Sequence, residues 1–164
     1  MNVTLIGMPG CGKSSLGIKL AYELGFSFVD VDKEIEGISK KTLRQIIDEG
    51  SEEGFLDLEA NYVKNLKVDR HVIAPGGSVV YSMGAIQHLH DISTMVYLRT
   101  PVDKLLARMG DPFARGVIGL KKKSFVELYD ERSSQYEFWA EATIDNDGSE
   151  IDCLMKLVRL LKRQ

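Results

Sequence analysis

Apolar and polar residues switch texture repeatedly along the chain. Val3 to Ile6 read as a short buried strand that stops at Gly7. From Gly12, Leu16, Leu20 and Leu24 recur every four residues with Ala21 beside them, which predicts a helix stopped by Gly25. Phe26 to Val31, interrupted by Asp30, make a second strand candidate, and residues 33–67 are polar and helical in texture with breaks at Gly37 and Gly50. His71 to Ala74 predict a third strand running into Pro75-Gly76-Gly77, and Met95 to Leu98 a fourth. Residues 101–109 read as a helix, 110–123 as a mobile loop rich in Gly, Lys and Arg, and Phe125 to Trp139 as another helix. Ala142 to Ile144 are a fifth strand candidate, and Ile151, Leu154, Met155, Val158 and Leu161 mark a final amphipathic helix. Strands alternating with helices predict an α/β fold, a parallel sheet covered on both faces. No repeat, linker or low-complexity tract interrupts it, so residues 1–164 are expected to form one domain. Ligands of such sheets bind beyond the carboxyl ends of the strands. The first three strand candidates all end there in unusual motifs.

The first motif, Gly7-Met8-Pro9-Gly10-Cys11-Gly12-Lys13-Ser14, satisfies the phosphate-loop pattern G-x-x-x-x-G-K-[ST] in full. Glycines let backbone N–H groups turn inward around phosphate oxygens, and the helix that follows aims its positive end at the same place. Lys13 can reach the outer phosphates and the Ser14 hydroxyl can ligate Mg²⁺. Gly7, Gly10, Cys11, Gly12, Lys13, Ser14 and Ser15 are therefore the expected nucleotide contacts.

Two alternatives to group transfer lack their signatures. The guanine-reading Asn-Lys-x-Asp of a GTPase is absent, and neither the third nor the fourth strand ends in the acid that many ATPases carry there. The acids lie in the second strand candidate instead, as Asp30 and Asp32. Two residues apart on a strand, they are expected to share a face, one serving hydrated Mg²⁺ and the other meeting an acceptor hydroxyl.

Bulk properties narrow the partners. A net charge of −3 gives no global reason to bind nucleic acid or an anionic membrane. No stretch approaches the roughly 18 apolar residues of a membrane span, and the N-terminus has no signal-peptide pattern. Cys11 and Cys153 are far apart and form no metal-binding pattern, so a reducing cytoplasm is expected.

The motifs taken in order resemble the shikimate kinase family of small P-loop kinases. The resemblance rests on GMPGCGKSSLG, FVDVD, the PGGS turn, VYL, RMGDPFARGVIG and ERSSQY, and it spans nearly the whole chain. It implies a three-layer fold with a five-stranded parallel sheet, a substrate-binding helical segment at 33–67 and a lid at 110–123. It also implies transfer of the γ-phosphate of ATP, with Mg²⁺, to the 3-hydroxyl of shikimate; separately, a monomer is expected. By position, Asp30 resembles the acid that reaches Mg²⁺ through water, and Asp32 the acid at the reacting hydroxyl. Gly76 and Gly77 resemble the backbone that approaches the substrate, Arg115 the lid arginine, Arg132 the arginine on the substrate carboxylate, and Arg108 the residue stacked near adenine. Lys13, Asp32 and Arg115 are thus the expected catalytic residues.

One segment departs. The family's Phe-Arg-Arg-Ile-Glu reads Phe55-Leu56-Asp57-Leu58-Glu59 here, and no arginine lies between Arg44 and Arg70. Aligned with the carboxylate-binding arginine, Asp57 is expected to meet the acceptor and reverse the charge there. Together with Arg132 it would hold a zwitterion such as homoserine; a polyol and a catalytically silent nucleotide-binding module are the other readings. A nucleoside monophosphate kinase would need more basic residues than this acidic segment supplies.

Overall fold

The computed structural model describes residues 1–162. Five strands form one parallel sheet: β1 (Asn2–Ile6), β2 (Ser27–Asp30), β3 (His71–Ala74), β4 (Ser93–Arg99) and β5 (Ala142–Asp145), in spatial order β2-β3-β1-β4-β5. The helices are α1 (Lys13–Leu24), α2 (Val31–Ser39), α3 (Leu43–Glu49), α4 (Glu52–Lys64), α5 (Met83–Ile92), α6 (Val102–Met109), α7 (Phe125–Trp139) and α8 (Glu150–Leu161). The three inner strands are almost wholly buried, as the continuous apolar runs require of a sheet covered on both sides. The five-stranded α/β expectation holds.

Because every strand is parallel, all carboxyl ends emerge at one edge. Thr4 stands opposite Ile73, Asp30 opposite Ala74, and Arg99 opposite Asp145. The chain leaves β1 toward β2 and β3 on one side, then crosses to β4 and β5 on the other. This reversal opens a crevice next to β1, where the phosphate loop lies.

The structure revises two expectations about elements. Residues 77–92 carry a short 3₁₀ turn, Gly77–Tyr81, followed by α5, where no element was expected. Ser82 caps α5 and buried Ala85, Ile86 and Leu89 fasten it to the core, a helical spacing readable in the sequence. In addition, β2 ends at Asp30 and α2 starts at Val31, so Asp30 and Asp32 do not share a strand face. Asp30 is the N-cap of α2, and Asp32 lies in its first turn. No helix among the described residues is long and apolar enough to cross a membrane.

Candidate active site

The phosphate loop joins β1 to α1. Gly10 (φ 85°) and Gly12 (φ 91°) occupy the left-handed region, which L side chains rarely adopt. Buried Asn146, just after β5, donates to the Cys11 carbonyl at 2.7 Å and to Thr100 Oγ1 at 3.1 Å, tying the loop to the next sheet edge. Lys13 Nζ donates to the carbonyls of Gly7 (2.8 Å) and Met8 (3.1 Å), which holds the ammonium inside the loop's curve. Ser14 Oγ donates to Asp30, whose other oxygen accepts the Lys33 N–H at 3.2 Å as the α2 cap. Hydroxyl and carboxylate are thus side by side at the start of α1. That pair suits Mg²⁺, which takes one or two protein oxygens and completes its shell with phosphate and water. No cluster of three or more acidic, His or Cys ligands exists among the described residues.

Opposite the loop stands a second set of residues. Arg132 on α7 is 1% exposed. Its Nη2 donates to the Ile118 carbonyl at 2.6 Å, its Nε donates to Tyr81 Oη at 3.2 Å, and its guanidinium lies 5.1 Å from the Tyr81 ring centroid. Tyr136 Oη donates to the Gly77 carbonyl and fixes the turn after β3. Glu59 on α4 is also 1% exposed, and its Oε2 accepts from Ser78 Oγ at 2.8 Å. Among the described residues, the buried side-chain polar atoms without a partner are Asp32 Oδ1 and Glu59 Oε1.

These two oxygens belong together. A Cβ added to Gly76 would sit 2.9 Å from Asp32 Oδ1 and overlap Glu59 Oε1. Burial pushes the Asp32 carboxyl up to about 6, against the pull of Lys13 and with the push of Asp30. Burial, then repulsion from Asp32, pushes Glu59 up to about 7, against Ser78 and Arg132. Both carboxyls therefore favour a proton near neutral pH, and the repulsion that Glu59 feels from Asp32 couples their titration. Gly76 is therefore required for close approach, not for its backbone angles. Gly76→Ala is expected to force the carboxylates apart, costing about 1–3 kcal/mol of stability by overpacking. Thermal unfolding and kcat should fall together; an unchanged Tm would show that the turn has room.

Two adjoining cavities give the site its shape. One, of about 400 Å³, is lined by Phe55, Gly76, Arg44 and Arg132 among others; its neighbour, of about 330 Å³, by Gly12, Lys13, Ser15 and Arg108. Pro9, Ser14, Asp30, Asp32, Gly77 and Arg115 line both. A third hollow of about 240 Å³ lies beyond the loop, between Gly10, Arg108, Asn146 and Glu150. The phosphate side and the Arg132 side therefore meet at Asp32 and Arg115.

A family model described as shikimate kinase matches residues 9–162. A shikimate kinase of Clostridium botulinum (strain Alaska E43 / Type E3) is 32% identical over 160 residues, covering 97% of this chain and 96% of that protein. The chain belongs to the shikimate kinase family. It is a small-molecule kinase with a hydroxyl acceptor. Another relative in Clostridium botulinum (strain Eklund 17B / Type B) is 36% identical over 151 residues, covering 92% and 90% of the two chains. Among solved structures, shikimate kinase from Acinetobacter baumannii in complex with shikimate aligns with a TM-score of 0.89 at 30% identity, covering 99% of this chain and 93% of that one.

The kinase brings most of the expected site residues to this edge. Lys13, Ser14, Ser15, Asp30, Asp32, Arg108 and Arg115 line the phosphate-side cavity, and Gly76, Gly77 and Arg132 line the other. Asp57 is not among them. It is exposed on α4 and lines neither cavity, so the structure does not bring it together with the other expected site residues. Phe55, Glu59 and Val63, four residues apart, are the buried face of α4, and Asp57 lies on the opposite one. That same spacing marks Glu59, which the motif comparison passed over. Arg44 was also missed; it enters the cavity from α3.

Proposed function

We propose that this kinase transfers the γ-phosphate of ATP to a hydroxyl of a small carboxylate-bearing metabolite, with shikimate as the first acceptor to test. The observation that carries this reading is the set of residues common to both cavities, with Asp32 and Arg115 where donor and acceptor would meet. The exposure of Asp57 on α4, away from both cavities, supports an anionic acceptor.

In this reading Lys13 and the loop amides hold the outer phosphates; Ser14, and Asp30 through water, would hold Mg²⁺, which would supply charge neutralisation. Asp32 orients the acceptor hydroxyl and takes its proton as the O–P bond forms. Arg115 comes from residues 110–124, which form turns without helix or strand and border the cavity as a lid. Its guanidinium stabilises the charge spread over the transferring phosphoryl group. The segment 31–64, three short helices, supplies the acceptor wall. Both cysteines are buried free thiols, which fits a reducing cytoplasm.

A second reading is a hydroxy amino acid such as homoserine. It is favoured by acids and arginines on the same cavity wall: Asp30, Asp32 and Glu36 against Arg44, Arg115 and Arg132. A coupled ADP-release assay over shikimate, homoserine, serine and myo-inositol, with product phosphorylation checked by mass spectrometry, separates these readings. Saturable turnover of shikimate is expected. Nucleotide binding with no phosphorylated product from any acceptor would overturn the kinase mechanism in favour of a binding module.

A further inference from the structure

The acceptor cavity lacks a cation on α4. Phe55 is the α4 residue that lines it, Leu56 is half-buried and packs against the core, and Glu59 is an acid. Arg132 spends Nη2 on the Ile118 carbonyl and Nε on Tyr81, which leaves only its Nη1 for an acceptor. A carboxylate on the acceptor therefore needs a second donor, and α3 supplies one. Arg44 lines the cavity beside Thr42 and Leu43.

Its partly exposed guanidinium makes three contacts. Nε donates to Asp48 Oδ2 at 2.8 Å, one turn on along α3, and Nη1 donates to the Phe113 carbonyl at 2.6 Å. The Phe113 ring lies under the guanidinium, 4.4 Å from its centre. Nη2 makes no hydrogen bond among the described residues. A planar cation fixed by two bonds and a ring, with one N–H₂ left over, is a pre-organised carboxylate donor. The same contacts join α3 to the 110–124 segment, and Gly116 packs 3.6 Å from the Arg44 backbone N, measured from the place of a Cβ.

We propose that Arg44 determines acceptor specificity: its Nη2 receives the acceptor carboxylate across the cavity from Arg132, and its bond to Phe113 couples that contact to the position of the Arg115 segment. This rests on the carboxylate-bearing acceptor proposed above. Arg44 takes the place of the missing α4 arginine from a different helix. A carboxylate at Nη2 also draws on the partner that holds Phe113, so acceptor binding and placement of Arg115 are linked.

The test compares shikimate with its neutral methyl ester, by binding (calorimetry and thermal shift) and by steady-state kinetics. Arg44→Ala is expected to weaken shikimate binding roughly 10- to 100-fold, as for loss of a partly exposed charged contact, with the ATP KM little changed. Methyl shikimate should lose little. Arg44→Lys should recover only part of the loss, since an ammonium keeps the charge but not the fork. Equal losses for the ester and the acid, or no loss for the acid, would overturn the assignment, as would wild-type binding of only the neutral compound. Arg44-dependent binding of shikimate without phosphorylated product would support the assignment and sink the proposed function. Turnover of shikimate with an unaltered KM in Arg44→Ala would do the reverse.

Discussion

Asp32→Ala is expected to lower kcat about 10²- to 10⁴-fold, the range for loss of a general base, while ATP affinity changes by no more than roughly threefold. The two effects separate because Asp32 is not part of the phosphate loop. It stands in the first turn of α2, on the wall shared by the two cavities, while Lys13 is held by the Gly7 and Met8 carbonyls on the loop itself. Lys13→Ala should show the opposite signature and lose nucleotide affinity along with turnover. The pH profile supplies a sharper readout. Asp32 must be ionised to accept a proton, and burial pushes its carboxyl up to about 6. Activity should therefore fall as pH drops through that region, and Asp32→Asn should abolish this acidic limb along with most of the rate. An Asp32→Asn enzyme with near-normal kcat and the same limb would remove Asp32 from the reaction.

The features legible in the sequence were those set by local rules. The phosphate loop needs only its glycines, Lys13 and Ser14 in order, with a strand before and a helix after. The end of α1 was equally legible, because Gly25 fixes it locally, and α7 was found with its bounds at Phe125 and Trp139. Asp30 and Asp32 were identified as functional acids for a partly wrong reason. Their spacing suggested one strand face, but Asp30 caps a helix, and the turn of that helix brings Asp32 to the cavity. At α4, family alignment selected Asp57, whereas helical phase selects Glu59, in step with buried Phe55 and Val63. Burial of an acid contradicts the expectation that acids face solvent, so a pattern reading passes over it. Arg44 could not be found by any local rule. Its cavity position is fixed by Phe113, which is 69 residues away and carried on turns with no periodicity.

Glu59→Gln is expected to stabilise the protein above neutral pH, an unusual sign for a substitution beside an active site. Glu59 is 1% exposed, and its carboxyl is pushed from an ordinary 4.5 to about 7 by burial first and Asp32 second. A raised carboxyl means that the folded chain keeps a proton that the unfolded chain has released between those two values. Stability from this group is therefore fully present below about 4.5 and is lost as pH rises through about 7. Converting that shift at 1.36 kcal/mol per unit gives a loss of about 3 kcal/mol by pH 8.5. Glutamine cannot ionise, so it escapes the loss. Its carbonyl can still accept from Ser78 Oγ, and its amide can donate toward Asp32 Oδ1, the buried oxygen that lacks a donor. Tm of Glu59→Gln should exceed that of the wild type at pH 8.5 by several degrees, about 2–4 °C per kcal/mol for a chain of this size. The gap should close by pH 5. Because Glu59 is already protonated where Asp32 titrates, the acidic limb of kcat should stay near its wild-type position. Glu59→Ala removes the donor and leaves a cavity, and should destabilise at every pH. A Glu59→Gln Tm difference that is constant from pH 5 to 8.5 would mean that Glu59 does not titrate in that range, and that the Asp32 oxygen finds its proton elsewhere.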